Sequence, residues 1–438
     1  MKAEVFDAAL AGLLHDIGKV AQRAGEKPKK PFSAEEHGRS GYHAVISDDF
    51  TAEYVPKKFQ SGLLGVLQHH KPVDVKSKIV QLADWWSSGE RRQGEEMGRE
   101  EAQSSRLIPI TSLVELETER AEEEIKYRYG IGVWKISDDN FPQDGLSQAM
   151  GEDDYQMIWT QFKAEVESWK DAAGDQWEEQ DTATFITTFK ALMQKYFWCI
   201  PSATPWQDEK SKAQRSYPDV SLVDHARLTS AIAACLAALE WDVEKLNRLQ
   251  EDEEKDVLLL VRGDISGIQK FIFRVSSPDS ETAHAAKRLR GRSFYLLLLN
   301  EVLVYWLLEQ LEIPSTCSLF VGGGKFDLLI PLNKKEQLEA LLKEVNAWLL
   351  ETFQGELGIQ VAALELKASD FRDMSQVYLK LEEKLQKAKQ HKWQEFIQQE
   401  AFYLPRKQKW HVCKVCQLTP LNQSGICLLY TSPSPRDS

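Results

Sequence analysis

The sequence predicts an α+β chain: a helical N-terminal domain carrying clustered histidine and aspartate, then a ferredoxin-like βαββαβ domain, then half of a zinc knuckle. Three observations predict it. Five of the nine histidines fall within the first 70 residues. From Val257 onward, apolar runs of strand length alternate with long amphipathic stretches in the order β-α-β-β-α-β. Near the end, Cys413-Lys414-Val415-Cys416 follows His411, the spacing of one half of a tetrahedral zinc site. With 438 residues the chain has room for two or three domains.

The first domain, residues 1–90, is read from Leu13-Leu14-His15-Asp16-Ile17-Gly18-Lys19, which puts adjacent His and Asp on an apolar helix. Glu36-His37, Tyr42-His43, His69-His70 and Ala83-Asp84-Trp85 follow. Imidazole with carboxylate suits Mn, Fe, Co, Ni or Zn. Neighbouring His and Asp can serve a bridged metal pair that activates water against a phosphodiester. His15, Asp16, His69 and Asp84 are therefore candidate metal ligands, with His15 and Asp16 the catalytic pair. His37, His43 and His70 are candidates either as ligands or as partners that orient them. The plainer reading, a helical domain with surface histidines, does not account for the clustering.

Residues 91–254 form a charged linker and a mostly helical connecting region. Gly89–Arg106 is charged and poor in apolar residues, Leu107–Glu117 has strand character, and Trp169–Trp198 and Ser221–Leu249 have helical spacing. Gln207–Arg215 reads as a polar loop, as does the acidic run Gly151-Glu152-Asp153-Asp154. The 13 tryptophans fall mostly at core positions of helices.

Residues 255–370 carry the βαββαβ domain. Val257–Val261 is a buried strand, with Asp264 at its tip and Gly263 and Gly267 allowing a tight turn into a helix. A carboxylate there suits phosphate or metal chemistry, or simply makes the turn. Asp264, Ser266 and Gly267 are the candidate nucleotide contacts. Lys287–Leu311 is a helix stopped by Pro314. Cys317–Val321 and Phe326–Pro331 flank the hairpin tip Gly322–Lys325; Leu338 to Phe353 repeat at helical spacing, and Ile359–Leu366 is the last strand. Polymerase and cyclase palms hold two metals with paired carboxylates on the central hairpin. Here that hairpin reads GGGKFD, with Asp327 alone acidic. The expectation is a degenerate palm that binds or scaffolds nucleotide without synthesising. Residues 371–426 hold a charged helix (Met374–Phe402) and the zinc half site, Cys413 and Cys416. Residues 427–438 resemble a translated sequencing adapter and are set aside.

Together these blocks resemble one family, the large palm-containing subunit of type III CRISPR interference complexes, most like subtype III-A. LLHDIGK and ADWWSSGERR resemble its HD nuclease domain. PDVSLVDHARLTSAIAACL (Pro218–Leu236), GDISGIQKFIF, KRLRGRSFYL and GGGKFDLLIP resemble its first palm region. The family's HD domain is a permuted one; no histidine precedes His15, so one ligand stays unassigned. The resemblance implies a metal-dependent nuclease acting on single-stranded DNA, with Mn, Ni or Co at the HD site. It also implies guide RNA and other complex subunits as partners, target RNA as activator, and a cytoplasmic location. It further implies an N-terminal fragment of a longer product. In that product zinc would close the knuckle, and ATP would bind between this palm and a second one that makes cyclic oligoadenylate. Two other functions stay open: an HD-type nucleotide phosphohydrolase, and a catalytically inactive scaffold. The net charge of −13 excludes nucleic-acid binding through bulk electrostatics. No apolar run suggests a membrane span, and the scattered cysteines argue against a disulfide framework.

Overall fold

The computed structural model describes residues 2–38, 41–89, 105–114, 126–146, 150–202, 206–207, 215–273 and 285–397. The chain divides into two compact units. The first is helical and spans residues 1–257, with the short returns 312–317 and 367–373. The second is built on a four-stranded sheet.

In the helical unit, α1 (Ala3–Leu14), α2 (Gly18–Arg23), α3 (Ala34–His37), α4 (Tyr42–Tyr54), α5 (Lys57–Gln60), α6 (Leu64–Gln68) and α7 (Val75–Ser87) come first. The helices α8 (Glu152–Ala173), α9 (Thr182–Phe197), α10 (Leu222–Ala237) and α11 (Val243–Glu251) follow. Their starts are written in the sequence. Asp74 and Ser77 form a reciprocal capping box for α7, and the Ser221 hydroxyl accepts from Asp224 N to cap α10. An aromatic core forms where Phe50 of α4 meets Trp159 and Phe162 of α8 and Phe189 of α9. Helix α10 lies between α1 and α7 because small residues permit it. A Cβ on Gly12 would sit 2.8 Å from Ser230 Cα, and the Ser230 hydroxyl donates to Ala9 O at 2.6 Å.

Several expectations for this unit are corrected. The block Pro218–Leu236, quoted for its resemblance to the palm region, lies in the helical unit, and from Leu222 onward it is helix α10. Leu107–Glu117 holds no strand among its described residues; Pro109 leads into a 3₁₀ turn at Ile110–Ser112. Gly151–Asp154 is not a loop but the start of α8, with Gly151 N donating to Asp154 Oδ2 at 3.1 Å and three acids in the first turn. The helical stretch Trp169–Trp198 breaks at Gly174 between α8 and α9.

The sheet unit orders its strands β2-β3-β1-β4, all antiparallel: β1 Leu258–Ser266, β2 Ser318–Gly322, β3 Lys325–Pro331 and β4 Gly358–Leu366. The connections are α12 (Ile268–Phe273) and α13 (Ala285–Gln310) after β1, a hairpin between β2 and β3, and α14 (Lys335–Phe353) before β4. Helix α15 (Met374–Gln390) packs on β4 and β1, and α16 (Gln394–Ile397) follows. Asp264 is not at a strand tip: β1 runs on to Ser266, and the turn comes at Gly267, whose φ is +92°. Gly263 serves the strand itself, because the Phe326 ring occupies the space of a Cβ. Among the described residues one helix, Leu289–Gln310, is long and apolar enough by length and composition to cross a membrane, contrary to the sequence reading. It buries Leu299, Leu303 and Leu307 and exposes Phe294, Leu298 and Val302.

Candidate metal centre

Helix α1 delivers His15 and Asp16 at its C-terminal end, both buried. The Ser47 hydroxyl accepts from Gly18 N and donates to His15 O, both at 2.9 Å, which fixes α4 against this turn and brings His43 inward. His69 and His70 follow α6, Asp84 comes from α7, and His225 from the first turns of α10.

Asp16 is the hub. Its Oδ1 lies 3.0 Å from His43 Nε2, and its Oδ2 lies 3.3 Å from His15 Nε2, 3.4 Å from His225 Nε2 and 2.5 Å from Lys19 Nζ. Asp84 Oδ1 lies 3.2 Å from His225 Nε2 and 3.6 Å from His15 Nε2. Two triads result. His15, Asp84 and His225 form one; His43, His69 and His70 form the other; within each, the ligand atoms lie within 4.8 Å of one another. Asp16 touches members of both.

Tautomers are set from behind. His15 Nδ1 lies 2.7 Å from Gly12 O and His69 Nδ1 lies 2.9 Å from Val66 O, so each donates there and turns Nε2 into the cluster. His225 Nδ1 lies 3.2 Å from Ser87 Oγ, which is 2.8 Å from Thr229 Oγ1. The Nε2 atoms of His15, His69 and His225 are buried without a hydrogen-bond partner. Three buried ring nitrogens converging on two carboxylates fit a pair of divalent transition-metal ions, once His15 yields the proton on its Nε2.

The charges agree. Burial would depress the His15 pKa, but Asp16 and Asp84 outweigh it and push it up to about 10. Burial works against ionised Asp16 and Asp84 too, yet His15 beside both, with Lys19 beside Asp16 and hydrogen bonding to His225, holds both well below the usual carboxylate range. Burial pushes His43 down to about 4, and His69 and His70 down to about 3, so these three stay neutral and ready to ligate.

Of the residues singled out from sequence, His15, Asp16, His43, His69, His70 and Asp84 come together. His37 does not join either triad: its Nδ1 lies 3.0 Å from Ser33 O and its ring stacks on Phe32. His225 was missed. Its helix had been quoted for its resemblance without the histidine being assigned, and it stands where the unassigned ligand was needed.

The sheet unit treats its candidates differently. Asp264 is paired with Lys389 at 2.6 Å, the Ser266 hydroxyl donates to Gly358 O at 3.0 Å, and Gly267 abuts the Glu356 carbonyl. Asp327 is gripped by Arg262, Nε to Oδ1 and Nη2 to Oδ2, both at 2.7 Å. A cleft of about 490 Å³ opens instead beside the hairpin tip, lined by Ile268, Ile272, Arg290, Ser293, Gly323 and Gly324 among others. Cys413 and Cys416 lie outside the described residues.

Two family models match: "HD domain" over residues 1–103 and "Csm1 subunit domain B" over residues 257–408. His225 falls between the two. A Cas10/Csm1 single-strand-specific deoxyribonuclease of subtype III-A from Methanocaldococcus jannaschii is 32% identical over 393 residues, covering 83% of this chain and 46% of that protein. The Streptococcus thermophilus protein of the same description is 29% identical, covering 82% and 44%. The chain thus spans less than half the length of these relatives. Among solved structures, an apo Csm1-Csm4 cassette superposes with a TM-score of 0.64 at 21% identity, covering 91% of this chain and 49% of that one. Csm1 of T. onnurineus superposes with a TM-score of 0.57. At these identities the likeness speaks for the fold.

Proposed function

We propose, from the premise that the chain belongs through its HD domain and domain B to the Cas10/Csm1 family of subtype III-A, that it carries the metal-dependent nuclease centre of a CRISPR effector subunit cutting single-stranded DNA. The observation that carries this is the convergence of three partnerless buried Nε2 atoms, from His15, His69 and His225, around Asp16 and Asp84. His15, Asp84 and His225 would hold one divalent cation, His43, His69 and His70 a second, and Asp16 would bridge them. Bound cations of this kind supply Lewis-acid activation of water and of the phosphodiester. The chain does the rest. The backbone carbonyls behind His15 and His69 fix their orientation. Lys19, beside Asp16 and with its side chain 24% exposed, stands where a non-bridging phosphate oxygen can meet an ammonium.

The sheet unit fits a ferredoxin-like palm without synthetic activity, since Arg262 occupies its one hairpin carboxylate. Nucleotide, ATP in the first instance, fits the cleft beside Gly323 and Gly324 better than Asp264 or Ser266. Zinc at Cys413 and Cys416, guide and target RNA, fellow CRISPR subunits as partners, and a cytoplasmic site of action complete the proposal. The test is elemental analysis of the purified chain with cleavage of single-stranded DNA, duplex DNA and free nucleotides under Mn, Ni or Co. Two metals and cleavage of the single strand alone are expected. Turnover of free nucleotides only would favour the phosphohydrolase reading, and metal binding without turnover would favour the scaffold.

A further inference from the structure

Residues 129–142 form one loop, closed by pairing of Tyr127–Arg128 with Gln143–Asp144. It presents Tyr127, Trp134 and Phe141 to solvent, Trp134 with 55% of its surface exposed. Exposed aromatics usually sit on pliant chain, but Trp134 is pinned. Its backbone N–H donates to Lys195 O at 2.7 Å, and its ring stands edge-on, 5.0 Å, against buried Trp198. Tyr129 packs on Trp198 from another side at 5.3 Å, and Trp198 Nε1 donates to Gly132 O at 2.9 Å. Asn140 ties the loop across itself, accepting from Lys135 N and donating to Val133 O. A rigid, outward-facing indole with no ring among the described residues over its free face is a platform.

The backbone leads from this platform to the metal centre. Four residues after Trp198, Ser202 O lies 3.4 Å from Lys19 Nζ, which contacts Asp16. Pro201 O accepts from Arg23 at 2.9 Å. The path from Trp198 to Asp16 is therefore on the order of 20 Å, with Lys19 and Arg23 along it. We propose that Trp134, held by Trp198 and Tyr129, is a base-stacking site for single-stranded nucleic acid feeding the metal centre. Stacking is the means open to this chain: its net charge of −13 disfavours a grip through the backbone phosphates alone, whereas every base offers a face to an indole. Lys126, Arg128 and Lys135 interleave with the aromatics, offset by Asp138, Asp139 and Asp144, so the loop is locally neutral rather than repulsive. This inference rests on the nuclease reading for its substrate class.

The experiment measures binding of a fluorescent oligodeoxythymidine by anisotropy, with EDTA present so that nothing is cut. Trp134→Ala should weaken binding by roughly tenfold, within the range stacking contributes per base. Trp134→Phe should restore most of it, with thermal melting confirming that both variants fold. Equal affinity for wild type and Trp134→Ala would overturn the proposal and leave the loop as a surface for a protein subunit. Hydrolysis of an activated aryl phosphodiester by the unaltered chain, which needs no stacking, reports the metal centre separately. If that hydrolysis occurs while the oligonucleotide affinities match, the platform fails and the nuclease stands. If hydrolysis is absent but Trp134→Ala loses the oligonucleotide, the nuclease reading fails and the platform stands.

Discussion

Asp16 in the helical unit and Asp327 in the sheet unit are buried to the same degree, yet their surroundings give them opposite uses. Asp327 has both oxygens engaged by the Arg262 fork, and the guanidinium is in turn stacked 4.8 Å over Tyr378 and 3.4 Å from Glu382. Asp264 has Lys389. Each sheet carboxylate is neutralised by a cation that belongs to the protein. Asp16 has Lys19 on one oxygen, but around it imidazoles outnumber carboxylates, and three of their Nε2 atoms have no hydrogen-bond partner. A buried acid is therefore poor evidence for a metal. What marks a candidate coordination site is convergent ring nitrogens that the protein itself leaves without a hydrogen-bond partner.

The strongest way to break that contrast is to remove one acid from each region. Asp16→Asn should abolish stoichiometric metal and lower single-strand cleavage by more than the roughly 10–100-fold that losing an outer partner costs. His225→Asn should do the same, although no motif flags it. Asp327→Asn should leave metal content unchanged and lower stability instead, by about 2 kcal/mol, since it takes the two-point carboxylate partner from an arginine whose side chain is 20% exposed and leaves it Glu382 alone. Metal content by mass spectrometry and melting curves check both arms. An Asp327→Asn chain that lost metal, or an Asp16→Asn chain that kept it, would end the distinction.

A smaller effect sharpens it. Ser87 Oγ holds His225 Nδ1 and meets Thr229. Ser87→Ala should weaken metal affinity by roughly 10–100-fold while leaving the stoichiometry intact. Unchanged affinity in a metal titration would mean that helix packing alone orients His225.

How much of this could be read from the chain follows the same physics. The candidate ligands that the structure brings together on short-range motifs were legible: His15 beside Asp16 at a helix end, the His69-His70 pair, Asp84 on a capped helix. His225 was not, because it lies about 140 residues beyond Asp84 and reads locally as a buried histidine on an Ala-rich helix face. The succession of strands and helices in the sheet unit followed from apolar runs and turn glycines. The far half of β1 did not, since Arg262 and Asp264 look like a strand ending until Asp327 and Lys389 are seen opposite them. The start of α8 was legible but misread: a glycine followed by three acids is an N-terminal signature, and loop polarity masked it. Trp134 defied the helix-core reading of the tryptophans because its spacing carries no period; only its exposure and its contact with Trp198 separate it.

The subtlest difference between the regions is which cation can leave. Arg262 cannot give up its proton in water, so Asp327 is neutralised permanently. In the helical unit, without metal, Lys19 stands beside Asp16, and the further compensating charge is the His15 imidazolium, whose pKa is raised from 6.5 to about 10. That cation is removable, and a metal must remove it, because only neutral imidazole ligates. Metal uptake at pH 7 should therefore release about one proton per chain from His15, and none from His43, His69 or His70, which are already neutral there. The sign of the metal-free stability follows. The raised His15 pKa contributes stability that is complete below pH 6.5 and fades as pH climbs toward 10. The depressed pKa values of His43, His69 and His70 act oppositely: the fold loses stability as pH falls from 6.5 toward 4 and 3. The metal-free chain should then melt highest near pH 6.5 and lower on either side, while the loaded chain should hold its melting temperature further into alkali. Calorimetric titration of metal in two buffers of different ionisation enthalpy reads the proton count. No released proton at pH 7 would mean that His15 is neutral between the two acids, and that a removable cation does not distinguish Asp16 from Asp327.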